Sequence, residues 1–204
     1  GFSGGAAAGG PENWQIGFRP PVSPTAEEIH WFNDVILLPV IVGIVVFVLG
    51  LLVYVMWRFS EKRNPTPSKT THNTTIEVLW TVVPVVLLVI IAIPSFRLLY
   101  FADRIEEADM TIKAIGRQWY WSYQYPDSGG FEFDATMVAE EELQEGQKRL
   151  LDTDNPVVLP VNTNIRLLIT ASDVLHAFAL PAMGIKLDAV PGQVNERSEE
   201  HTSE

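Results

Sequence analysis

Three short segments of this 204-residue chain hold residue types that could do chemistry. In Asp173-Val174-Leu175-His176-Ala177-Phe178-Ala179-Leu180-Pro181, one imidazole sits among apolar residues near the end of a strand pattern. A neutral imidazole nitrogen suits copper, although a lone histidine in such a setting is more often a core residue with its hydrogen bonds satisfied. Asp173, on the same turn, reads as a cap or as an exposed docking charge. In Gly116-Arg117-Gln118-Trp119-Tyr120-Trp121-Ser122-Tyr123-Gln124-Tyr125-Pro126, five aromatics fall within seven residues. Strand alternation places Trp119, Trp121, Tyr123 and Tyr125 on one face and Tyr120 on the other. The segment is either packing throughout, or a packed face with one tryptophan exposed for docking and electron entry. In His72-Asn73-Thr74-Thr75-Ile76-Glu77-Val78-Leu79-Trp80-Thr81-Val82-Val83-Pro84, Glu77 stands at the edge of an uncharged block. A helix N-terminus favours a carboxylate there, and at a membrane boundary it could also accept or hand on protons.

The elements that position these residues fall into two halves. Val35 to Trp57 is 23 residues without a charge, about 34 Å as a helix against a hydrocarbon core of about 30 Å. Trp31, Phe32, Tyr54 and Trp57 flank it as interfacial aromatics. Val78 to Phe96 is a second uncharged block of 19 residues, with Pro84 and Pro94 as possible kinks and Leu98 to Phe101 extending it. The sequence thus predicts a transmembrane hairpin over 31–101, with helices at about 33–58 and 77–101. Between them, Arg58, Lys62, Arg63 and Lys69 oppose only Glu61, whereas the arm before Trp31 has Arg19 against Glu12, Glu27 and Glu28. The positive-inside rule puts the short loop in the cytoplasm and both flanks outside. Residues 1–30 read as an external arm, opening on a flexible Gly1–Gly10 terminus without a signal-peptide pattern.

From about residue 102 the pattern is strand-like. Thr111–Ile115, Gln118–Tyr125, Phe131–Phe133, Pro156–Val161, Asn164–Thr170 and Ala177–Leu180 are strand candidates, and the polar run Glu140–Arg149 reads as a loop or a solvated helical turn. Short strands separated by turn signals predict an all-β sandwich or barrel, and the lack of intervening amphipathic helices excludes βαβ units. A net charge of −11 argues against nucleic acid and for a basic protein partner attracted in a salt-dependent way. The chain has no cysteine, which excludes disulfides and thiolate metal ligands within these residues.

Taken in order, the hairpin, the His-Asn-Thr-x-x-Glu-x-x-Trp-Thr-x-x-Pro string, Gln-Trp-Tyr-Trp-Ser-Tyr, Asp-Asn-Pro-Val-Val-Leu-Pro, Asp-Val-Leu-His and Lys-x-Asp-Ala-Val-Pro-Gly closely resemble subunit 2 of aa3-type cytochrome c oxidases, in a bacterial style. The likeness runs from about Asn13 to Asn195. It implies a cupredoxin-like Greek-key barrel over 102–197, on the periplasmic side of a bacterial inner membrane. It also implies a binuclear copper centre that takes electrons from cytochrome c and passes them to haem in subunit 1, with subunit 3 and membrane lipid as further partners. By the same resemblance, His176 matches the first copper-ligand histidine and Trp119 the electron-entry tryptophan. Asp173 matches an acidic docking residue, and Glu77 a carboxylate near the mouth of a proton-uptake path.

The resemblance breaks near its end. The family's other copper ligands lie in a Cys-x-x-x-Cys-x-x-x-His-x-x-Met loop about thirty residues beyond the Pro-Gly pair. Here only twelve residues follow Pro191-Gly192, and no methionine follows Met183. The reading is of a chain cut short before that loop, with 198–204 (including His201) as a non-native tail. It predicts an incomplete barrel with an exposed edge, no binuclear copper bound by this chain, and no activity by the chain alone. Two alternatives remain: a quinol oxidase subunit that lacks copper by nature, and a non-catalytic, membrane-anchored β-domain.

Overall fold

The computed structural model describes residues 13–104 and 107–201, with side chains to residue 198. The expected Gly1–Gly10 terminus and the last residues of the expected tail, 202–204, lie outside the described residues. The chain divides into two units, residues 30–100 and residues 1–29 with 101–204.

The first unit is helical. A short helix α1 (Pro24–Trp31), whose residues 24–29 belong to the second unit, a π-helical turn (Phe32–Leu37) and α2 (Leu38–Arg58) are continuous as one helix of 35 residues. The helix begins earlier than expected because Ser23 caps it: Ser23 Oγ accepts from Ala26 N–H at 3.2 Å, ahead of Pro24 in the first turn. Pro39 explains the π turn. It has no N–H, and its ring would strike the carbonyl of Val35 four residues back. The helix widens just before it, so that Leu38 N–H reaches Asn33 O, five residues back.

Helix α3 (Thr74–Ala102) starts three residues before the expected Glu77. Asn73 is the reason: its Oδ1 accepts from Thr75 N–H at 3.1 Å and Ile76 N–H at 3.3 Å. Pro84 and Pro94 sit inside α3 without ending it. Neither α2 nor α3 has a buried residue, and both are apolar around their whole circumference. Surface of that kind is stable only where hydrocarbon replaces water, so the chain is a membrane protein. At one end of α2, the Arg63 guanidinium lies 4.2 Å from the Trp57 ring centroid, a cation held over an interfacial aromatic.

The second unit is a β-sandwich. Its strands are β1 (Met110–Arg117), β2 (Tyr120–Tyr125), β3 (Phe131–Ala135), β4 (Thr163–Ala171), β5 (His176–Leu180), β6 (Ile185–Ala189) and β7 (Asn195–His201). Five form a mixed sheet in the order β3-β2-β1-β4-β7, and β5 pairs with β6 in a second sheet. β1 and β4 run parallel, Met110 opposite Ile165 and Gly116 opposite Ala171. Period-two alternation sends Ile165, Leu167, Ile169 and Ala171 inward from β4, and Ile112 and Ala114 from β1. They meet Phe178, Ile185 and Ala189 of the second sheet.

The residues just before α1 complete this core. Val22 is buried in it, Val22 N–H donates to Ala182 O at 2.9 Å, and Ser23 Oγ donates to Met183 O at 2.8 Å. Gly184, at φ +70°, lets the two segments touch: a Cβ there would lie 2.8 Å from Ile29 Cδ1 and 3.2 Å from the Ala26 backbone.

The strand expectations need four corrections. Gln118 and Trp119 form a turn, so β2 begins only at Tyr120. Pro156–Val161 is not a strand: prolines 156 and 160 cannot donate to a ladder, and Val157 and Leu159 instead pack on the core from an irregular segment. β6 went unread, although Ile185, Leu187 and Ala189 alternate. β7 is entirely polar, Asn-Glu-Arg-Ser-Glu-Glu-His, and is a strand because its backbone pairs with β4 along seven residues. The five-stranded sheet stays open, ending at β3 and at β7 among the described residues.

Candidate functional site

Because β1 and β4 are parallel, both leave the sheet at the same end. Beyond them, the Gln118–Trp119 turn and the loop Ser172–Leu175 lie side by side, joined by a bond from Ser172 N–H to Gly116 O at 3.1 Å. The loop leads directly into β5, whose first residue is His176. Topology thus gathers Trp119, Asp173 and His176 at one rim of the sandwich.

Asp173 is the centre of the cluster. Its Oδ1 accepts from His176 Nε2 at 2.7 Å and from Val174 N–H at 2.6 Å, and its Oδ2 accepts from Gln118 N–H at 2.7 Å. The His176 hydrogen bond first and the Val174 amide next, with the Gln118 amide and the charge interaction with His176 adding less, hold the Asp173 carboxyl down to about 2 against the opposing effect of desolvation. An ionised carboxylate only accepts, so His176 Nε2–H is the donor, and in the neutral form of the ring the lone pair is on Nδ1.

The His176 side chain is only 15% exposed. It rests on Gly116, where a Cβ would come within 2.7 Å of His176 Cδ2, and it meets Trp121 edge-on at 5.9 Å. Trp121 in turn packs edge-on against Phe178 at 5.1 Å, and Tyr125 stacks with Phe133 at 6.1 Å. These aromatics are packing, as alternation predicts. Trp119 is the exception and corrects the one-face reading: it lies in the turn rather than the strand and is 86% exposed. It borders a cleft of about 270 Å³ together with Arg117, Tyr120, Trp121, His176 and Ala177. Below the cleft, Arg117 Nε donates to Ser122 Oγ at 2.7 Å, and Ser122 Oγ donates to Asp134 Oδ1 at 2.5 Å.

Glu77 belongs to the other unit. It lies in the first turn of α3, partly covered, and its carbonyl accepts from Thr81 Oγ1 at 2.9 Å. The sequence reading missed the importance of Gly116, a glycine in the quoted aromatic string whose lack of a side chain admits the imidazole. It also missed the Gln118 amide, which joins Asp173 across 55 residues and leaves no local signal.

The two lipid-length helices and the mixed-sheet sandwich with its polar–aromatic rim define a membrane-anchored β-sandwich protein. Residues 11–98 match the model for the transmembrane domain of cytochrome c oxidase subunit II, and residues 110–204 match the model for its periplasmic domain. The chain belongs to the cytochrome c oxidase subunit II family, and the sandwich is of that family's cupredoxin-like kind. It is therefore a component of an oxidoreductase complex. The probable cytochrome c oxidase subunit 2 of Rickettsia bellii is 55% identical over 195 residues, 96% of this chain and 72% of the relative. The Rickettsia felis counterpart is 54% identical, with 91% of this chain matched to 59% of its own length. Cytochrome c oxidase subunit 2 of Oenothera berteroana is 48% identical over 92% of this chain and 74% of its own. Among solved structures, the periplasmic domain of subunit II from Bradyrhizobium japonicum is 53% identical over 49% of this chain and 69% of its own, with a TM-score of 0.45.

The family implies a copper centre in its full-length members. The residues of this chain do not fit one. They supply His176 and no thiolate, since the sequence contains no cysteine, and no three His, Cys, Asp or Glu side chains converge on one point among the described residues. Two copper ions held together need bridging soft sulfur ligands, which one imidazole cannot replace.

Proposed function

We propose that this chain serves as the anchor and electron-receiving face of a cytochrome c oxidase. Electrons from cytochrome c enter at Trp119 and leave toward the haem-bearing subunit 1, with subunit 3 and lipid as neighbours of the helices. The membrane is a bacterial inner membrane. The loop between α2 and α3 is cytoplasmic, and both flanks are periplasmic. Support for a hairpin comes from Val22 and Ser23, which precede the first span and yet bond to Ala182 and Met183, which follow the second. Glu77, in the first turn of α3, stands at the entrance of a proton path shared with the large subunit. Among the described residues His176 is the imidazole at this rim, and the sequence supplies no thiolate to join it, so the 204-residue chain binds no binuclear copper and is inactive outside an assembled oxidase.

The observation that carries this reading is the exposed Trp119 beside a carboxylate-held imidazole on one cleft. In an assembled oxidase, Trp119→Ala should slow reduction by cytochrome c at least about tenfold, a barrier increase of ~1.4 kcal/mol, and leave the haem spectra unchanged. Undiminished reduction by cytochrome c would remove Trp119 from the path. Reduction by quinol but not by cytochrome c would replace this reading with a quinol oxidase.

A further inference from the structure

The resemblance treats Asp173 as a docking charge, yet all the polar capacity that the structure resolves at its carboxylate is turned inward. Oδ1 takes His176 Nε2–H and Val174 N–H, and Oδ2 takes the Gln118 amide. The three donors come from the imidazole of β5, from the loop before it, and from the turn that carries Trp119. We propose that Asp173 is a positioning residue. One carboxylate fixes the Nε2–H tautomer of His176, leaving Nδ1 bare, and pins the turn that presents Trp119, so that the two cleft groups are set by a single side chain. The assignment takes the Trp119–His176 cleft as the working site; its geometry is independent of any partner.

The isosteric amide separates this role from docking. A carboxylate offers two accepting oxygens, whereas asparagine offers one oxygen and one NH2 donor. Asp173→Asn cannot accept from both His176 and Gln118. If its oxygen keeps Gln118, the NH2 faces Nε2 and the imidazole must switch to the Nδ1–H tautomer. If its oxygen keeps His176 and Val174, the NH2 confronts the Gln118 N–H and the Trp119 turn must move.

The test uses the full chain in detergent micelles, with 15N-imidazole histidine and 5-fluorotryptophan, at alkaline pH so that the rings are neutral. Resonances of His176 and Trp119 are assigned by His176→Gln and Trp119→Phe. We expect the Nε2–H pattern at His176 in the unmodified chain. In Asp173→Asn we expect either the Nδ1–H pattern at His176 or a displaced Trp119 fluorine resonance, with His72 and Trp80 unmoved. An Nδ1–H pattern in the unmodified chain would overturn the proposal without need of any variant. So would an Asp173→Asn chain with both reporters unmoved, whose only defect in the assembled oxidase was cytochrome c association weakened at low salt. Neither resonance depends on turnover or copper, so an error in the electron-entry reading would leave this result intact, and the reverse also holds.

Discussion

Gly116 is the floor under the His176 ring, and one added methyl group tests how tightly that floor is fitted. A Cβ would lie 2.7 and 2.8 Å from the ring atoms Cδ2 and Cγ of His176 and 3.0 Å from its Cβ. Asp173 holds the ring through Nε2, so the ring cannot shift far without straining the 2.7 Å bond. Gly116→Ala should cost about 1–3 kcal/mol, the usual range for overpacking, read as a lower denaturation midpoint of the β-unit. Two other residues carry pH signatures. The Asp173 carboxyl lies below its ordinary value of 3.8, at about 2. Its contribution to stability is therefore complete above about pH 4 and lost as the pH falls toward 2. Burial first, and then the neighbouring Tyr125, push the Tyr123 hydroxyl up from 10.0 to about 12. The folded state thus holds that proton more tightly, and stability should decline as the pH rises from 10 toward 12. Acid and alkaline melts of Asp173→Asn and Tyr123→Phe should each flatten the corresponding limb; an unaltered limb would refute that assignment.

At the scale of elements, the joint between the pre-helix segment and the β5–β6 turn is the most constrained feature. Gly184 combines a left-handed backbone with close approach to Ala26 and Ile29. Gly184→Ala therefore meets two penalties, backbone strain of about 1–2 kcal/mol and crowding against Ile29 Cδ1 at 2.8 Å and the Ala26 backbone at 3.2 Å. A loss of about 2–4 kcal/mol in thermal or denaturant unfolding is expected, and a neutral result would mean that the joint is loose. The elements also show which signals a sequence can carry. The spans were legible because lipid demands long uncharged runs, and β4 because Ile165, Leu167 and Ile169 alternate. β7 was illegible because an edge strand needs only backbone pairing, so Asn195 to His201 shows no apolar face. Alternation places Trp119 with its strand neighbours because it assumes that the strand begins at Gln118, whereas the turn there releases the ring to solvent. The His176–Asp173 pair sits within one turn of sequence and could be suspected. The Gln118 bond that completes it depends on β1 and β4 lying side by side.

For the whole molecule, charge is the property that other proteins meet first. A net charge of −11 should make association with the proposed basic redox partner fast at low salt and steeply slower as screening grows, with a Debye length of about 10 Å at 0.1 M. The association rate between the assembled oxidase and a basic cytochrome c should fall by about tenfold or more between low and physiological ionic strength. A flat dependence would show that these acids do not steer. The same molecule also has an unusual order of assembly. Ser23 bonds to Met183, a partner 160 residues later, and two membrane crossings lie between them. At about 5–20 residues per second, the segment before the first helix waits roughly 10–30 s for the hairpin turn that receives it. A segment of the β-unit that is made before both spans is thus among the last to find its place, and the β-sandwich cannot complete its core until both spans have been made.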